Sequence, residues 1–222
     1  FDAARSETAQ KFFLGLIRRV TNELKGIWNV IVSVRTYDAK KSEDLQELFS
    51  ASTGSIPPEE FRMGGIHCRH FAIPKLTHDE ARTTAEIILP AIYEQGTPDF
   101  KELLRIPFNL WLLEKLLSPG HNIPELSSVS SEVQLLGLFW KRRVTDGFSG
   151  EDKRVFLSKV TQAMVRKRSL SVRTDEVYTT GENAVWASLL STEILIPVST
   201  TGQRVTFTHN ILFDYAVSIL LI

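Results

Sequence analysis

Three side chains in this sequence stand where they could act on a phosphate-bearing ligand, and a fourth joins them by its place in the chain. Asp2, in Phe1-Asp2-Ala3-Ala4-Arg5-Ser6-Glu7, lies directly ahead of a helical pattern. An acid just after a strand can hold Mg²⁺ and polarise an attacking water, and the plainer alternative is a helix cap. Arg35 ends the apolar run Ile27-Trp28-Asn29-Val30-Ile31-Val32-Ser33-Val34. A cation at the C-terminal end of a parallel strand faces the ligand crevice of an α/β sheet and can sense a terminal phosphate. The alternative is a surface arginine in a loop ion pair. His209 stands just ahead of Ile211-Leu212-Phe213, where an imidazole can cap a helix or donate to a phosphate at its N-terminus. Pro107, in Leu104-Arg105-Ile106-Pro107-Phe108-Asn109-Leu110, is by itself an ordinary first-turn proline.

Several chemistries are missing. No GxxxxGK[ST] occurs, so there is no phosphate-cradling loop of that kind. HExxH, GxSxG and paired Cys/His metal spacings are also absent. His67, His70, His78 and His121 lack partners at ligand spacing. Cys68 is the single cysteine, which excludes an internal disulfide and a CxxC site.

The chain that must position these residues has 222 of them, with 26 basic and 26 acidic side chains and no formal net charge. That balance argues against a bulk nucleic-acid coat or an acidic tail. Hydrophobic residues make up 43%, enough for one large domain or two small ones. No apolar stretch is long enough to span a membrane, and no signal peptide opens the chain, which suggests a cytoplasmic protein. The first residue is Phe1, and Ser218–Ile222 stop inside an apolar helical run, so the chain reads as a piece of a longer polypeptide.

Phe12, Phe13, Leu16, Ile17, Val20 and Leu24 recur at helical spacing over 4–24. The run 27–34 reads as a strand buried on both faces of a parallel sheet. A short helix is expected over 44–49, a loop over 50–66 and an edge strand over 70–73. Thr77 and Glu80 form a capping-box pattern that opens a helix running to about Ile92. The chain then turns almost wholly helical: 99–105, 108–117 and 132–146. From Gly150 come a helix over 151–167, a short one over 174–178 capped by Thr174, another over 182–191, and strands over 194–198 and 204–208 around Thr201-Gly202. A last helix starts near Asn210. Three helices and a hairpin in that order are the makings of a winged helix. The expected fold is therefore mostly α with a small α/β part. Its predicted units are 1–76, a partial α/β domain; 77–149, a helical lid; and 150–222, a winged helix and the start of a further helix.

In order along the chain, these weak motifs resemble the STAND-type P-loop NTPases, the AAA+-related group that includes NACHT and NB-ARC proteins. Phe1-Asp2-Ala3-Ala4-Arg5 resembles the tail of their extended Walker B segment, Val30–Arg35 their sensor 1 strand, and Ile106-Pro107-Phe108-Asn109-Leu110 the proline motif of their lid. Phe207-Thr208-His209 with Phe213-Asp214-Tyr215 resembles their closing FxHxxhxEY motif. The resemblance implies Asp2 as the distal acid, Arg35 sensing the γ-phosphate, Pro107 packed on adenine and His209 on the β-phosphate. It implies ATP or ADP with Mg²⁺ as cofactor of a longer parent, a homo-oligomeric signalling state released by nucleotide exchange, and a setting in bacterial defence or stress signalling. The partner of this chain would be the P-loop portion of the same protein. Two departures stand out: Ile106 replaces the usual glycine, and the P-loop half is absent, so the chain alone should not hydrolyse ATP.

Two other functions compete. Lys141, Arg142, Arg143, Lys153, Arg154, Lys159, Arg166, Lys167, Arg168 and Arg173 crowd one stretch, the electrostatic footprint of a nucleic-acid-binding winged helix. The would-be recognition helix 182–191 has no Arg or Lys to read base edges. An inert interaction scaffold is the third possibility.

Overall fold

The computed structural model describes residues 7–24, 27–28, 30–34, 39–40, 42–50, 64–66, 68, 70–117, 126–146, 149–198 and 202–221. The chain divides into two compact units, Phe1–Pro74 and Lys75–Ile222. It is mostly helical, with one small antiparallel sheet.

In the first unit, α1 spans Glu7–Glu23 and α2 spans Glu43–Leu48. Ser42 caps α2 by accepting from the Leu45 N–H, and Glu43 and Asp44 suit its positive end. Arg18 of α1 reaches Asp44 at 2.7 Å. Leu14 and Leu45 are buried, while Phe12 and Leu16 are exposed.

The buried strand expected over 27–34 is not formed by the described residues, and neither is a parallel sheet. Residues 30–34 form no strand with any described residue, and Ile31 is 93% exposed. The run has the composition of an inner strand, but such a strand needs a ladder on either side to satisfy its N–H and C=O groups. No neighbouring strand exists for it among the described residues. Residues 70–73 are likewise not part of a sheet among the described residues.

The second unit opens as the sequence predicts. The Thr77 hydroxyl accepts from the Glu80 N–H at 3.2 Å, and the Glu80 carboxylate accepts from the Thr77 N–H at 2.8 Å. This reciprocal cap starts α3, His78–Ile88. The helix ends earlier than expected because Leu89, ahead of Pro90, is held extended. Ala91 then turns through a left-handed conformation (φ 66°), its N–H donating to Glu86, and α4 follows over Ile92–Gln95. His78 ties this corner together: Nδ1 lies 2.8 Å from the Tyr93 hydroxyl and Nε2 lies 3.1 Å from Glu102.

Helix α5 (Pro98–Leu104) is capped by Thr97, and α6 (Pro107–Leu116) follows after two residues. Helix α7 (Glu132–Trp140) runs on into a π-helical turn, Lys141–Thr145. The next helix, α8 (Gly150–Lys167), begins so close to this turn that a Cβ on Gly150 would sit 2.1 Å from the Thr145 carbonyl oxygen.

Strand β1 (Ser171–Arg173), α9 (Thr174–Val177), α10 (Asn183–Ser191), β2 (Leu195–Pro197), β3 (Arg204–Phe207) and α11 (Asn210–Leu220) complete the unit. The antiparallel sheet has the order β1-β3-β2, with Val172 opposite Val205 and Leu195 opposite Phe207. Thr174 does not cap α9 as expected: its hydroxyl donates to the Gly202 carbonyl across the hairpin at 2.8 Å. One continuous apolar core runs from Ala81 to Ala216, so residues on both sides of position 150 share it. Among the described residues no helix is long and apolar enough to cross a membrane.

Candidate functional site

Pro107 and His209 are 102 positions apart in sequence, yet each opens a helix, and the two openings meet. The α6 end is fixed from behind. Arg105 donates from Nε to the Leu76 carbonyl at 2.7 Å and from Nη1 to Glu102 at 3.1 Å, and this bond holds the Glu102 carboxyl below its usual range. Ile106 must stay extended ahead of a proline. Pro107 then takes the first helical position and is exposed. Asn109, fully buried, donates to the Leu103 carbonyl at 2.9 Å, while its Oδ1 has no hydrogen-bond partner.

The α11 end is fixed by the hairpin. The Thr208 N–H donates to the Ile194 carbonyl at 3.1 Å, and its hydroxyl donates to the Glu193 carbonyl. His209 is the N-cap, with Nδ1 accepting from the Ile211 N–H at 3.3 Å. A neutral ring accepting at Nδ1 carries its proton on Nε2, so Nε2–H is a donor. Phe207 and Phe213 anchor the motif by burial, their rings 5.8 Å apart. Tyr215 packs edge-on against Trp140, and burial pushes its phenol up.

Phe108 joins the two ends. Its ring stacks on His209 at 4.1 Å between centroids, 29° from parallel, and on Trp111 at 5.6 Å and 20°. Neither α6 nor α11 carries an acid in its first turn. Two positive helix ends and an imidazole N–H donor thus stand on either side of one aromatic contact, an arrangement suited to an anionic ligand with a planar ring.

Asp2 and Arg35 lie outside the described residues. Pro107 and His209 are brought together through Phe108. Sequence reading quoted Phe108 and Asn109 only as neighbours of Pro107 and gave no role to them, to Trp111 or to Glu193. The i, i+3 spacing of Phe108 and Trp111 was a usable signal, whereas the turn holding Glu193 has none. Among the described residues no group of His, Cys, Asp or Glu is gathered to hold a metal ion. The donors present fit the phosphate part of a nucleotide; none of them is an Mg²⁺ ligand.

Part of the basic stretch is occupied. Lys159 pairs with Glu182 at 2.6 Å, Arg173 with Asp175 at 2.6 Å, and Lys167 with Glu176. Lys153 is buried beneath the π turn, donating to the Arg143 carbonyl at 3.3 Å. Burial, with the Arg143 charge added, pushes its pKa down.

No protein-family model matches this chain, and no curated protein or solved structure matches it either.

Proposed function

We propose that this chain is the lid and winged-helix part of a STAND-type nucleotide switch. Its N-terminal unit would belong to the nucleotide-binding sheet, and its partner would be a P-loop portion of the same polypeptide. The carrying observation is the meeting of Pro107–Phe108 with His209, since a switch of this kind needs its lid and its winged helix to face one ligand. The helix–strand–helix–helix–hairpin order of α8 to β3 supports a winged helix, and the short helices α3 to α6 support a lid. The exposure of Ile31 within the apolar run 30–34 supports a sheet completed by a further part of the parent.

On this reading Pro107 and Phe108 border the base, and the Nε2–H of His209 donates to the diphosphate of ADP. Bound Mg²⁺ would neutralise phosphate charge; the resemblance implies Asp2 as the distal acid and Arg35 as the sensor of the γ-phosphate. Replacing ADP by ATP removes the reward for the His209 contact, and the winged helix turns away to expose an oligomerisation surface. A cytoplasmic signalling role in defence or stress goes with this reading.

The deciding experiment is ADP retention by a version extended N-terminally through a P-loop. Retention that falls on His209→Ala, with self-association rising, is the expected result. An extended chain that binds no nucleotide, or one indifferent to His209→Ala, overturns the proposal.

A further inference from the structure

One face of α6 carries Phe108, Trp111 and Lys115, at spacings of three and four residues. All three lie along the same corner of the second unit. Phe108 stacks on His209. Trp111 stacks on Phe108 and receives the Lys115 ammonium 6.0 Å from its ring centre. Lys115 pairs with Glu193 at 2.8 Å, with only 26% of its side chain exposed. The two targets are themselves joined, because Thr208 donates its hydroxyl to the Glu193 carbonyl and its N–H to the Ile194 carbonyl. Glu193 stands in the left-handed region at φ 55°, a conformation that costs energy for a non-glycine residue and persists where its surroundings hold it. On the α6 side, Arg143 donates to the Lys115 carbonyl, fixing the end of the helix that presents the ammonium.

We infer that Phe108, Trp111 and Lys115 form a clasp that holds the Glu193/Thr208–His209 corner against α6 through protein contacts. His209 is restrained twice by the protein itself: it is capped to α11 by one ring nitrogen and stacked on α6 by its face. Lys115–Glu193 is the second point of attachment, at the far end of the same stripe. The clasp rests on contacts alone. Its regulatory consequence rests on the proposed switch: opening then requires the loss of the stack and the ion pair in addition to the contact between His209 and the diphosphate.

The test is hydrogen exchange of the 222-residue chain without nucleotide, read on the segment 208–213, whose Thr208 and Ile211 N–H groups are hydrogen-bonded at this corner. Lys115→Glu and Glu193→Lys should each speed exchange there by about two- to fivefold, the range expected for loss of one partly exposed ion pair. The double variant Lys115→Glu/Glu193→Lys should return it to within about twofold of the parent, as complementary charges do. Unchanged exchange in the single variants, or a double variant no slower than they are, overturns the clasp. Should charge reversal prevent folding, Lys115→Met keeps the stem over Trp111 and removes only the charge. Faster exchange at 208–213 in that variant supports the clasp, and unchanged exchange overturns it. No nucleotide enters the measurement, so failure of the switch to bind ADP in the extended chain is a separate result.

Discussion

His209 carries both a structural and a proposed chemical duty, and two substitutions separate them. His209→Ala removes a side-chain cap, worth about 1 kcal/mol at a helix N-terminus, and an aromatic stack worth about 1 kcal/mol beyond the area it buries. The ring is exposed, so little further burial is lost, and the sum is about 2 kcal/mol. His209→Asn keeps an oxygen able to accept from the Ile211 N–H and forfeits only the stack, about 1 kcal/mol. For a unit of this size each kcal/mol lowers the melting temperature by about 2–4 °C. The Ala variant should therefore melt about 4–8 °C below the parent and the Asn variant about half as far below. Thermal unfolding of the 222-residue chain checks the order. In the extended parent both variants should lose ADP retention equally, since neither carries the imidazole Nε2–H. Equal melting of the two variants would refute the cap. An Asn variant that keeps ADP would refute the donor role, whatever its stability.

Other outcomes follow from the same contacts. Gly150→Ala pushes a Cβ to 2.1 Å from the Thr145 carbonyl oxygen, a backbone atom, and should cost about 1–3 kcal/mol by overpacking. Gly15→Ala, with open space around it inside α1, should instead stabilise by about 0.5–1 kcal/mol, so chemical denaturation should show opposite signs for the two. The Thr77 cap holds the Glu80 carboxyl below its ordinary value of 4.5. A depressed carboxyl contributes stability above its unfolded pKa and loses it as pH falls through the folded value. Acid titration of Glu80→Gln should therefore lack part of the loss that the parent shows below pH 4.5. Because the helix Asn183–Ser191 carries no Arg or Lys, and Lys159, Lys167 and Arg173 are already paired, fluorescence anisotropy should find no sequence-specific binding to duplex DNA.

Much of the second unit was legible because its signals are local. Thr77 with Glu80 states a helix start in a few residues, and that start is present; the helices expected from 99 and 108 begin one residue earlier, at Pro98 behind the Thr97 cap and at Pro107. The segment 27–34 was not legible in this way. β-branched residues there state a preference that pairing must complete, and the pairing depends on residues elsewhere. Strand β1 was missed because Ser171-Val172-Arg173 is too short for a period to show; the sheet is fixed by Arg204 and Thr206 bonding to Ser171 and Leu170. Thr174 has the composition of a cap, but the hairpin supplies a better acceptor for its hydroxyl. At the candidate site, Pro107 and His209 could be picked out as residue types. Their meeting could not, since it is carried by Phe108, which reads as one more apolar residue of a helix.

The stripe on α6 also limits how this chain can change in length. Each helical residue turns the chain by about 100°. One residue added or lost between Phe108 and Lys115 would leave one end of the stripe facing its target and swing the other end to a different side. Substitutions along α6 can be absorbed singly, but a change of length there cannot, so chains descended from a common ancestor with this one should keep the seven-residue interval even where the residues that mark it differ.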